Sequence, residues 1–150
     1  MAVSMQQVWE ALAADEVDYP AVARLGADAL PHLAELVRGD DPGLAAKATY
    51  LAGLIPGPGQ EDVIDVASAS PDPAVRVSAA VAANGLDEEV AARAVARLMD
   101  DDDIGVRKHA AVSAGRLAGV AQVRQRLERL RDGDESDVVR ERAEQSLTGW

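Results

Sequence analysis

The 150-residue chain has no cysteine and no phenylalanine, and aromatic residues make up only 3% of it. Without cysteine there is no disulfide framework, no thiolate nucleophile and no cysteine-ligated zinc. With so few rings the core must be built from Ala, Val and Leu, which suits thin layers of helix on helix. Basic residues are also scarce: 15 Lys and Arg face 26 Asp and Glu, a net charge of −11. Nucleic-acid binders carry a basic face, so this balance excludes a phosphate-backbone partner from the expected ones. No apolar run approaches the ~18 residues of a membrane span. The N-terminal "MAVSMQQVWEALAADE" lacks the basic start and apolar stretch of a signal peptide, and a cytoplasmic location is expected.

What the chain does have is repetition. Four segments align: "DPGLAAKATYLAGLI" from Asp41, "DPAVRVSAAVAANGL" from Asp72, "DIGVRKHAAVSAGRL" from Asp103 and "SDVVRERAEQSLTGW" from Ser136. Their first apolar anchors are Leu44, Val75, Val106 and Val139, with steps of 31, 31 and 33 residues. Four residues later come Ala48, Ala79, Ala110 and Ala143, and the segments close on Ile55, Leu86, Leu117 and Trp150. This spacing is a helical stripe, not the alternation of a strand. The stretches between repeat too: Leu33, Ile64 and Val95 are in step, as are Leu36, Ala67 and Leu98, while Leu127 and Leu130 arrive one residue late.

Each unit therefore reads as a helix A, a turn and a helix B. Asp41-Pro42 and Asp72-Pro73 place a side-chain acceptor at the cap and proline at the first helical position. Gly39, the "PGPG" at 56–59, Asn84-Gly85 and Gly133 mark the stops. Residues 3–14, with Val8 and Leu12 one turn apart, and residues 18–26 form a less regular first pair. The predicted fold is all-α: an α-solenoid of about five antiparallel helix pairs, a single domain over 1–150 with an irregular unit at 1–27 and four in-phase repeats at 28–150. One pair cannot bury its apolar face alone, and stacked pairs share a core. Glu144 stands where Ala80 and Ala111 stand in the preceding units, which suits a repeat with no further neighbour on that side.

The pattern of these segments, an Asp-Pro, a Val-Arg pair and small residues beyond, resembles HEAT repeats. It is most similar to the short kind also seen in phycobilisome lyase proteins, over roughly residues 28–150. The resemblance implies a ladder in which an acid of the A–B turn, six residues before the Arg of the Val-Arg pair, ties neighbouring units. Asp101/Arg107 and Asp134/Arg140 keep that spacing; Ser70/Arg76 lacks the acid, and Gly39/Ala45 lacks both. It also implies that the positions two, three and six after each anchor line a concave face, with the candidate binding residues at three and six. Those residues are Lys47, Ser78, His109 and Arg142, and Tyr50, Val81, Val112 and Gln145.

Little else suggests chemistry. The run Asp100–Asp103 lacks calcium-loop spacing, since Ala111 stands where the twelfth-position Glu would be. These acids, like Glu61/Asp62, Asp87/Glu88/Glu89 and Asp134/Glu135, sit where helices begin and complement the helix dipole. His32 and His109 lie in different repeats, and neither has a partner at catalytic spacing. His32, after Pro31 at a helix start, is expected to be exposed. No phosphate-binding glycine loop is present. No catalytic residue, metal ligand or cofactor is assigned. The expected function is a non-enzymatic scaffold or adaptor that binds a protein or peptide, basic by preference, on its concave face, with no nucleic acid or membrane partner. Two alternatives come from the resemblance: a DNA glycosylase-type nucleic-acid enzyme, which the acidic charge disfavours, and a bilin lyase or chaperone-like protein.

Overall fold

The computed structural model describes residues 2–149. Trp150, expected to close the last stripe, lies outside them. The described residues form ten α-helices with three short 3-10 turns and no strand. They divide into two compact units, Met1–Leu86 and Asp87–Trp150.

The first unit holds α1 (Met5–Ala13), α2 (Tyr19–Ala23), α3 (Leu30–Arg38), α4 (Pro42–Ala52), α5 (Gln60–Ser68) and α6 (Pro73–Ala82). Ser4 and Gln7 cap α1 reciprocally: the Gln7 N–H donates to Ser4 Oγ (3.1 Å) and the Ser4 N–H to Gln7 Oε1 (3.4 Å). Asp18, Asp41 and Asp72 accept backbone N–H groups at the starts of α2, α4 and α6. Helix α3 packs on α4, α5 on α6, and α4 on α6. Val8, Leu12, Leu33, Ala48, Ile55, Ile64, Ala67, Val75 and Ala79 are buried, so the anchors face the core as the stripe requires. Leu36 and Leu44 are half-buried.

The α4–α6 packing is unusually close. A Cβ at Gly53 would lie 2.7 Å from the Ala82 Cα, and one at Gly85 would lie 1.8 Å from the Gly53 carbonyl oxygen. Only glycine permits this approach. Gln60 seals it by donating from Nε2 to the carbonyls of Ala52 (3.0 Å) and Gly53 (3.3 Å). The "PGPG" loop turns through Gly57 and Gly59, both with positive φ, and delivers Gln60 as the first residue of α5.

The second unit holds α7 (Glu88–Met99), α8 (Ile104–Ser113), α9 (Ala121–Gly133) and α10 (Asp137–Thr148). Asp103 and Ser136 cap α8 and α10. The core is Val95, Leu98, Val106, Ala110, Leu117, Leu127, Val139 and Ala143. Gly115 and Ser146 repeat the Gly53–Ala82 contact in register; a Cβ at Gly115 would lie 3.3 Å from Ser146 Oγ, which donates to the Ala111 carbonyl (2.6 Å). Glu144 is exposed, where Ala80 and Ala111 are fully buried, and lies 3.8 Å from Arg131.

Candidate functional site

Three turns share one construction. The N–H groups of Asp72, Asp103 and Ser136 donate to the side chains of Ser70 (3.2 Å), Asp101 (2.9 Å) and Asp134 (2.9 Å). The guanidinium six residues after each acceptor donates to its backbone carbonyl: Arg76 to Ser70 (2.8 Å), Arg107 to Asp101 (3.0 Å) and Arg140 to Asp134. The six-residue link is thus made to the main chain, and Ser70 preserves it without an acid. The Asp134 carboxylate itself serves the preceding pair. Arg107 forms a fork on Asp134, with Nε donating to Oδ2 (2.8 Å) and Nη2 to Oδ1 (3.2 Å), and Glu135 stands 3.5 Å away.

The Arg107 and Asp134 side chains are only 10% and 5% exposed. Burial alone would raise the Asp134 carboxyl. The hydrogen bonds from Arg107 and the Ser136 N–H, with the charges of Arg107 and Arg140, outweigh it and hold that carboxyl below its ordinary value. Arg107 is raised in turn, first by its hydrogen bond to Asp134.

The eight candidate binding residues fall four to a unit. In the first, Tyr50 on α4 is exposed, but its ring meets Tyr19 edge-on, with centroids 4.6 Å apart at 73°. Lys47 is drawn back: its Nζ donates to the carbonyls of Leu12 (3.1 Å) and Ala14 (3.5 Å), closing the C-terminal end of α1. Ser78 and Val81 on α6 are half-buried. Among the described residues of the second unit, Val112 on α8 is the most exposed large apolar residue at 52%. It lines a pocket of about 330 Å³ with Arg142, Gln145 and Ser146 of α10. Arg142 donates to Gln145 Oε1 (3.4 Å), and Gln145 donates to Glu141 (3.4 Å). His109 is half-buried outside that pocket; burial, then the charge of Lys108, lowers its pKa.

His32 is not the exposed residue expected from its place after Pro31. It is half-buried, with Nε2 2.7 Å from the Val3 carbonyl, tying the N-terminal segment to α3. Among the described residues no cluster of acids and histidines could hold a metal ion, and no helix is long and apolar enough to cross a membrane. The residues that sequence reasoning missed are Gly53 and Gly115, whose 62-residue separation is two repeat steps.

The model of HEAT repeats matches residues 61–148, more than half of the chain. The chain belongs to the HEAT-repeat family. No curated protein matches its sequence. Among solved structures, this HEAT-repeat chain is similar to one in the complex of CpcE and CpcF of phycocyanin lyase from Nostoc sp. PCC7120. The TM-score is 0.77 at 20% identity, over 95% of this chain and 96% of that one. That likeness corrects one expectation. Non-enzymatic character was inferred from the lack of a triad, a thiolate or a phosphate loop. A chain of an enzyme complex carries this fold over nearly its whole length, so those absences do not exclude an enzyme.

Proposed function

We propose that this HEAT-repeat protein binds a protein partner through the exposed face of its B helices. The observation that carries the reading is Val112, half-exposed at the edge of a pocket completed by Arg142 and Gln145. An exposed apolar side chain beside a polar and basic rim has the chemistry of an interface hot spot. Tyr50 and Val81 occupy the same register within the first unit. The net charge of −11 favours a basic partner, and a cytoplasmic setting without nucleic acid or membrane belongs to the same proposal. The similar solved chain comes from a complex of two proteins, which supports a protein partner.

The test begins with capture of partners by the tagged chain and mass spectrometry. Each candidate is then titrated calorimetrically against wild type and Val112→Glu. The variant should keep the helical spectrum and melting temperature and lose binding. A candidate set that binds both proteins equally sinks the proposed face.

The near-full-length likeness to a phycocyanin lyase chain favours a second reading, a bilin lyase or chaperone-like protein. Mixing with a free bilin should then shift or sharpen its visible absorption, and an unchanged spectrum removes this reading.

A further inference from the structure

The second unit shows what fills the space between consecutive A–B turns: the Arg107 side chain, forked on Asp134 and donating from Nη1 to the carbonyls of Asp101 (3.0 Å) and Asp102 (3.1 Å). The corresponding place in the first unit lies two repeat steps earlier. There Ala45 stands for Arg107, Ser70 for Asp134, and Gly39 and Asp40 for Asp101 and Asp102. The result is a groove of about 800 Å³ between the α3–α4 and α5–α6 turns. Ala45, Ser70, Gly39 and Asp40 all line it, with Val37, Val66 and Val75 as its apolar walls.

The groove retains most of the receptor and lacks the side chain it receives elsewhere. The main-chain carbonyls of Gly39 and Asp40 are in register with the two that Arg107 satisfies, and no described side chain donates to them. Asp40 and Asp72 line the groove and bring acidic charge to it, although Asp72 Oδ1 also accepts from the Ala74 N–H (2.8 Å). Arg38 is exposed at the rim, and no described hydrogen bond draws it inward. A flat cation with several donors, on an apolar stem, matches paired carbonyls, nearby carboxylates and valine walls better than a compact ammonium does.

We propose that this groove receives an arginine side chain of a protein partner, whose guanidinium takes the position that Arg107 takes in the second unit. The inference deepens the partner-binding reading and rests on it, but a small probe tests it separately. The probe is N-acetyl-arginine methylamide, with the lysine analogue as control, titrated into the full chain and followed by amide shifts in nitrogen-15 correlation spectra.

The arginine probe should shift the Gly39, Asp40, Ala45 and Ser70 amides saturably, and the lysine analogue should bind about tenfold more weakly. Ala45→Arg/Ser70→Asp rebuilds the missing pair within the chain and should abolish the shifts. Asp40→Asn/Asp72→Asn leaves the groove open and keeps a helix-capping side chain at position 72, and should weaken binding about tenfold. The proposal is overturned if the arginine probe gives no saturable shift, if lysine binds equally well, or if either double variant, folded by its spectrum, binds as wild type does. Failure here leaves the Val112 face untouched, because that face is tested by its own variant.

Discussion

Removing the carboxylate of Asp134 should unfold the second unit at a markedly lower temperature. Arg107 and Asp134 are 10% and 5% exposed, so Asp134→Ala leaves a guanidinium buried without its forked partner. Breaking one side of a buried pair costs about 3–5 kcal/mol. Three groups remain to soften the loss: the carbonyls of Asp101 and Asp102 still accept from Arg107, and Glu135 lies 3.5 Å away. The lower end, about 3 kcal/mol, is therefore expected, which for a chain of this size is a drop of about 6–12 °C in Tm. The assay is thermal unfolding followed at 222 nm and by calorimetry.

Two companions make that test specific. Arg131 and Asp132 are 2.8 Å apart on the surface, so Asp132→Ala should melt with wild type. Arg107→Met/Asp134→Leu should recover most of the loss, since apolar packing can replace a buried pair. Acid gives an independent reading. The Asp134 pKa is depressed, so its stabilisation is present above the ordinary carboxylate value of about 3.9 and is lost as pH falls through the folded value. Asp134→Ala should lack that component of acid unfolding. Equal melting of Asp134→Ala and Asp132→Ala would refute the reasoning.

Val106, fully buried, should cost about 3 kcal/mol or more as Val106→Asp, while Gln145→Asp stays within about 0.5 kcal/mol; equal Tm shifts would overturn the assigned stripe. Gly85→Ala should destabilise the first unit by about 1–3 kcal/mol, because its methyl would meet the Gly53 carbonyl at 1.8 Å, and urea unfolding measures it. The His109 pKa is lowered, so its contribution is full above about pH 6.5 and falls as pH drops through the folded value. Urea midpoints at pH 7.5 and 5.5 should therefore differ more for wild type than for His109→Gln.

The helices were legible because burial imposes a period on the sequence: Val75, Val106 and Val139 are in step and all reach the core. The Asp and Ser caps were legible because a cap needs one kind of side chain at one position. The candidate face was less so. Lys47 occupies the expected register, yet its Nζ turns to carbonyls 33 and 35 residues away in sequence, a choice no local pattern records. Tyr50 likewise meets Tyr19, from a helix whose placement depends on loops without periodicity. Ser70 read as the loss of a ladder acid; the in-unit bond survives because it goes to the Ser70 carbonyl, while the fork to the preceding pair is absent.

That last bond separates two energies that repeat arrays usually mix. A linear array owes its stability to an intrinsic term for each unit and a coupling term for each junction. The arginine-to-carbonyl bond belongs to the first, and no side-chain substitution at the acceptor position can delete the oxygen. The arginine-to-carboxylate fork belongs to the second, and one substitution removes it. Drift at position 134 can therefore retune how far unfolding in one helix pair of the second unit spreads to the next, while each pair keeps the turn that lets it form.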